Sequence, residues 1–348
     1  LEGMAQGGAI HNYEDSRIGD IKGKFSGNHL WSKRESGGGA VFNMNATMDN
    51  IYADFINNYI YSEDYSYGGA IANLKGGSTY TGEISIKDVV GNFINNYAEA
   101  KNSSVRGGAI HNYAAKMGNI TGDFSGNYAK STNGWPAGGA IYNSSAKIGN
   151  ITGDFTGNYA KSTNSSVYGG AIFNSSAKMG NITGDFAGNY ADSTNSSVYG
   201  GAIYNYSATM HDIAGEFTGN YAKSTNRWSA GGAIYNEYAK IGIITSDFNG
   251  NYVLSGDLAS GGAISNKWDG IIGSITGDFE GNYAESNGGA AAARGGALFN
   301  MGNITKLTSG FNNNHALTNG TFAIGGAVTN MLSFYPQHGI TTLSGNFS

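Results

Sequence analysis

Gly-Gly-Ala followed by an aliphatic residue begins at positions 7, 38, 68, 107, 138, 169, 200, 231, 261, 295 and 325, eleven times in 348 residues. A unit this short cannot bury its own apolar face, so the chain is confined to architectures in which each repeat stacks on the next. Most intervals are 30 or 31 residues, and the two longer ones, 39 and 34, place insertions at about Leu74 to Val90 and Asn287 to Arg294. The whole of 1–348 therefore reads as a single repeat domain, expected to be a fragment of a longer chain or a filament subunit.

A second landmark, Phe-x-x-Asn, follows about 17 residues into each unit, as at Phe124 to Asn127, Phe155 to Asn158 and Phe186 to Asn189. Ten units carry the Phe, and the eleventh reads as Leu343 ahead of Asn346. Ile151, Gly153 and Phe155 alternate with Thr152 and Asp154, the period of a strand with one buried face. Around Gly138 to Asn143 the same logic points Ile141 inward and leaves Tyr142, whose column also holds His111, Phe173, Ala72 and Ser265, facing out. A change of parity between Ile148 and Ile151 predicts a turn near Gly149, and Lys161 to Tyr168 has room for a third strand.

Composition narrows the choice. Glycine at 57 residues and asparagine at 41 make up more than a quarter of the chain, which excludes a mostly helical fold. With only two prolines and no every-third-residue glycine, collagen is excluded as well. The leucine-asparagine frame of leucine-rich repeats and the glycine-aspartate nonapeptide of calcium-binding β-rolls are missing, and eleven propeller blades would be too many. What remains is an all-β parallel β-helix of about eleven coils of about 31 residues, each with three short strands and three bends, stacked at ~4.8 Å into a rod on the order of 50 Å long.

In such a rod every alignment column becomes a ladder. Asn12, Asn43, Asn73, Asn112, Asn143, Asn174, Asn205, Asn236, Asn266, Asn300 and Asn330 form one, and a second runs from Asn28 through Asn158 and Asn189 to Asn346. Amides stacked at this spacing bond to one another or to the neighbouring backbone, a structural role. The Phe column predicts interior aromatic stacking, and Tyr59, Tyr97, Tyr128, Tyr159, Tyr190, Tyr221, Tyr252 and Tyr283, flanked by His29 and His315, predict a polar-tipped corner.

Chemistry is harder to find, because a catalytic site gathers unlike residues and these ladders gather like ones. The six histidines, His11, His29, His111, His211, His315 and His338, have no metal-ligand spacing, the chain has no cysteine, and no nucleophile elbow or phosphate loop is present. No catalytic residue, cofactor or metal ligand is therefore expected. Asp54, Asp123, Asp154, Asp185, Glu216, Asp247 and Asp278 each precede the Phe and read as a solvated face rather than a carboxylate cleft. Sequons at Asn119, Asn150 and Asn181 read as by-products of an Asn- and Thr-rich repeat. A net charge of −5 with 13% charged residues weighs against nucleic acid, and with no long apolar run any membrane link is expected through a segment outside this sequence. The candidate contact residues for a partner protein or glycan are Trp135, Trp228, Tyr168 and Tyr199, in the variable segment ahead of each glycine pair, with their own turns as the competing place for them to pack.

The tandem Gly-Gly-Ala-Ile and Phe-x-x-Asn motifs resemble the passenger repeats of bacterial autotransporters, especially the polymorphic outer membrane proteins of chlamydiae, over nearly all 348 residues. The regular Gly-Asn-Ile-Thr-Gly-Asp-Phe core departs from that family's pattern. The resemblance implies a right-handed β-helical stalk on a bacterial surface or outside the cell. Such a stalk would serve non-enzymatic adhesion or display toward a host protein or glycan receptor, with end-to-end assembly into a filament as a compatible form. The competing reading is a β-helical glycan-active enzyme, a polysaccharide lyase or hydrolase, or a phage tailspike.

Overall fold

A computed structural model describes residues 3–77, 80–289, 291–331 and 339–348. It is a parallel β-helix with no α-helix among the described residues. One coil shows the plan: short strands at Pro136–Ala137, Ile141–Ser144, Lys147–Ile148, Ile151–Thr152, Phe155–Thr156 and Tyr159–Ser162, separated by bends. Equivalent strands of successive coils pair in parallel, Ile141 with Ile172, Phe155 with Phe186 and Tyr159 with Tyr190. Four stacked sheets result rather than the three faces expected, because the stretch read as a third strand holds two, Tyr159–Ser162 and Val167–Tyr168, which belong to separate sheets.

The interior is built from columns. Ile141, Ile148, Ile151 and Phe155 are all fully buried, and their equivalents above and below continue one core along the rod. The phenylalanine rings stack nearly parallel with centroids 4.7 to 5.1 Å apart, from Phe25 through Phe186 to Phe347. This spacing is the interstrand distance, so backbone pairing imposes the stack and the rings fill it. Phe347, not Leu343, closes the column. Leu343 pairs with Leu307 in the aliphatic column four residues earlier, and Phe347 pairs with Phe311, so Asn346 stands where other coils place the aspartate.

The asparagine ladders carry the polar side of the same register. In the first, each side-chain amide from Asn12 to Asn300 donates to the Oδ1 of the next, for example Asn143 to Asn174 at 2.9 Å. The second runs from Asn28 to Asn314, without Asn346, and joins three coils at each rung from Asn58 to Asn282. Asn158 Nδ2 donates to Asn189 Oδ1 at 3.0 Å and to the Phe124 carbonyl at 2.8 Å, while the Asn158 N–H also donates to Asn189 Oδ1 at 3.0 Å. Away from the two ends of the rod these amides are fully buried, so the alternative to the ladder is a stranded polar group costing ~1–3 kcal/mol.

The two glycines of each repeat have different reasons. Gly138 has φ +63, which a side chain rarely adopts, whereas a Cβ on Gly139 would lie 2.1 Å from the Gly170 carbonyl oxygen of the next coil. The pair makes a reflex corner, and that corner places the column of Tyr142 differently from the expectation of a solvent-facing one. Tyr142, Phe173 and Tyr204 do point away from the coil interior, but they are 5%, 7% and 5% exposed, because the strand ahead of the glycines folds back against them.

Neither insertion protrudes freely. The first lies back along the rod, with the Tyr80 hydroxyl donating to Asp15 at 2.9 Å, although Ser78 and Thr79 lie outside the described residues. In the second, Ala292–Arg294 joins the sheet ahead of the glycine pair, with Ala290 outside the described residues.

Phe186→Ala should lower the unfolding free energy by ~3–5 kcal/mol in urea titrations, as for other buried aromatics. A backbone test separates the glycine roles. A Cβ on Gly170 would meet the Gly201 carbonyl oxygen at 2.0 Å, whereas Gly188, at φ +61, has open space and occupies a turn position that Asn57 and Asn95 fill in other coils. Gly170→Ala should therefore destabilise severely, while Gly188→Asn should cost under ~1 kcal/mol.

Candidate functional site

The reflex corner runs the length of the rod as a shallow groove. Its two walls are the outward column ahead of the glycine pair (Arg106, Ala137, Tyr168, Tyr199, Ala230, Ser260, Arg294) and the outward column after it (His111, Tyr142, Phe173, Tyr204, Tyr235, Ser265, Phe299). Where one wall carries a large ring the other often carries alanine, as at Ala137 with Tyr142 and Ala230 with Tyr235. In the two intervening coils both walls are aromatic, and the groove opens there into a recess of about 480 Å³.

Three of the four predicted contact residues meet in this recess. Trp135 packs edge-on against Tyr168 with centroids 6.1 Å apart, and Tyr168 stacks on Tyr199 at 5.9 Å. All three pack against the floor of Tyr142, Phe173 and Tyr204. Trp228, in the same column as Trp135, is not brought into it. It is 49% exposed, and its indole N–H donates to Asp257 Oδ2 at 2.6 Å. The competing reading of these aromatics thus holds in part, since Trp135 lies against the scaffold while still lining an open recess.

Sequence reasoning missed the floor and the charges. The aromatic run Tyr142, Phe173, Tyr204, Tyr235 was visible as a column, but only the reflex corner shows that it faces a second wall. On the outer rim, Tyr206, Tyr238 and Trp268 form an exposed row, with Tyr238 and Trp268 stacked at 6.3 Å. Tyr238 and Trp268 have φ of +50 and +54 at a turn position that other coils fill with Ser145, Ser176 and Ser207. A bulky residue there is strained, so these rings are held in place by something other than local preference.

That something includes Glu237. Its Oε2 accepts the Tyr204 hydroxyl at 2.5 Å, and Tyr235 and Trp268 also hydrogen-bond to it. Burial pushes this carboxyl up, opposed by those hydrogen bonds and by Lys267. The Lys267 ammonium lies over the rings of Tyr235 and Phe299 at 5.7 and 5.2 Å, and desolvation pulls it down to about 8, opposed by Glu237. Toward the other end the Arg106 guanidinium covers the Trp135 ring at 4.9 Å and the Tyr142 ring at 5.8 Å. Beside it His111, stacked on Tyr142 at 5.1 Å, is pushed down to about 3 by burial and by Arg106, and is neutral. Arg294 lies over Phe322 at 5.4 Å.

The remaining candidate columns prove structural. Asp123 Oδ1 accepts the Asp154 N–H at 2.9 Å and Asp154 Oδ1 accepts the Asp185 N–H at 2.8 Å, so the exposed aspartates cap the backbone of the next coil. The sequon asparagines do the same: Asn119 Oδ1 accepts from Asn150 N–H and Asn150 Oδ1 from Asn181 N–H, both at 2.9 Å. The asparagines recur for this physical reason, and the sequons come with them. Among the described residues no group of three or more His, Asp or Glu side chains is placed to hold a metal ion, and His338 lies outside those residues.

The folded chain holds the Lys267 proton less tightly than the unfolded chain, whose lysine titrates near 10.5. Stability linked to this group is full above pH 10.5 and is lost as pH falls through about 8. The stability difference between the parent and Lys267→Met should therefore shift in the parent's favour from pH 8 to 10.5. A pH-independent difference in paired urea titrations would show that the ammonium is solvated. Set beside known proteins, the chain has no matching family model, curated protein or solved structure.

Proposed function

We propose that this chain is a non-enzymatic, rigid β-helical scaffold of a bacterial surface or extracellular protein, which presents the aromatic groove to a partner. The observation that carries this reading is the unbroken register of the ladders, from Asn12 to Asn330 and from Phe25 to Phe347. Every rung is tied to its neighbours through buried amides and stacked rings, so the rod resists bending and fixes the groove along its length. The bacterial surface setting comes from the repeat resemblance alone.

The competing reading, a glycan-cleaving β-helix, needs two carboxylates flanking the scissile bond in its usual form. Among the described residues Glu237 is the one acid lining the aromatic recess, and Tyr204 already holds it. Incubating the protein with a panel of bacterial, plant and animal polysaccharides should release no new reducing ends or unsaturated uronates. Release that disappears in Glu237→Gln would replace the scaffold reading with the enzymatic one. On intact cells of the source organism, antibody to the chain should label the surface; labelling only after lysis would remove the display role.

A further inference from the structure

The groove differs from the rest of the rod in its charge. The chain as a whole is acidic, at −5, yet three cations, Arg106, Lys267 and Arg294, line this one corner against two carboxylates, Glu35 beside Arg106 and Glu237 beside Lys267. The single carboxylate in the recess, Glu237, is engaged by Tyr204, Tyr235 and Trp268. Five coil rises of ~4.8 Å separate the coil of Arg106 from that of Lys267, about 24 Å. Between them lie the walls of Trp135, Tyr168, Tyr199 and Tyr206.

The corner also holds buried polar atoms without partners, as do Ser229, Ser246 and Ser309 elsewhere in the rod. Ser260 and Ser265 face each other across the corner in the coil of Lys267; both are fully buried, and neither hydroxyl has a hydrogen-bond partner. The Nε atoms of Arg294 and Arg106 are buried and unpartnered as well. Buried donors without partners are rare in folded proteins and call for a water, an ion or a ligand atom.

We propose that the groove binds an anionic polysaccharide of the polyuronate class, with its pyranose rings along the aromatic walls and its carboxylates at Arg106 on one end and at Lys267 and Arg294 on the other. An extended glycan advances by close to one coil height per sugar, so a run of sugars keeps step with the rungs. The C–H faces of pyranoses suit aromatic walls, and the guanidinium fork suits a planar carboxylate. A recess of about 480 Å³ falls within the ~300–1,000 Å³ usual for ligand sites. This ligand assignment rests on the scaffold reading above and names what the scaffold presents.

Titration calorimetry of the whole 348-residue chain with polygalacturonate and with its fully methyl-esterified form tests it, because the two share a backbone and differ in charge. The acid form should bind at least tenfold more tightly than the ester, and the difference should vanish near 1 M salt, where the screening length is ~3 Å. Lys267→Met should weaken binding of the acid about tenfold and leave the ester little changed, while Lys267→Arg retains the preference. Trp135→Ala should weaken both forms, and Tyr52→Ala, exposed on a different sheet of the rod, neither. Circular dichroism of each variant confirms the fold. Equal binding of acid and ester, no binding of either, or tighter binding of a sulfated glycan or single-stranded DNA would overturn the assignment. Cleavage of polygalacturonate accompanied by Lys267-dependent binding would sink the non-enzymatic reading while leaving the ligand class standing.

Discussion

The structure depends on one requirement, that each coil lie in register on the next, and the buried asparagine amides enforce it. Asn158 reaches the coil below through the Phe124 carbonyl and the coil above through Asn189. A slip of one residue would break these bonds in both directions and leave several buried groups unpaired. Hydrophobic columns alone tolerate such a slip more easily, since an isoleucine packs against another in more than one offset. The amides therefore supply specificity, and the aliphatic and phenylalanine columns supply most of the burial.

The same requirement makes function an edge effect. Positions that hold the register repeat from coil to coil, so they cannot diversify without loosening the rod. Freedom is left to outward columns and turns, and the differences between coils concentrate there: Trp135 against Ser166 and Ser197, Tyr235 against Ser265, Tyr238 and Trp268 against Ser176 and Ser207. The reflex corner at the glycine pair then collects two such columns into one groove. A rod with no concave corner would display the same residues on separate faces.

Charge follows the same geometry. Arg106, Lys267 and Arg294 are spread over 189 positions of the chain, yet the corner sets them along one line with the aromatic recess between the first two. Glu237 offsets part of that charge at Lys267 while its carboxylate also accepts the Tyr204 hydroxyl. The strained turns at Tyr238 and Trp268 fit this arrangement, with the cost of a left-handed backbone offset by the rings and the carboxylate they join.

By itself the sequence determined the coil, its length, the inward columns and both amide ladders apart from the last rung of the second, Asn346, because those positions repeat and their chemistry has one stable outcome when stacked. It also singled out Trp135, Tyr168 and Tyr199, since departures from a strict repeat stand out in a list of residues. It misplaced the last phenylalanine, because Leu343 and Phe347 are separated only by which neighbour they pair with. It could not show that the column of Tyr142 is covered, that Trp228 turns outward to Asp257, or that three distant cations share a groove. Those were decided by the bend at the glycine pair, a tertiary angle that brings two outward faces together and that no periodicity along the chain encodes.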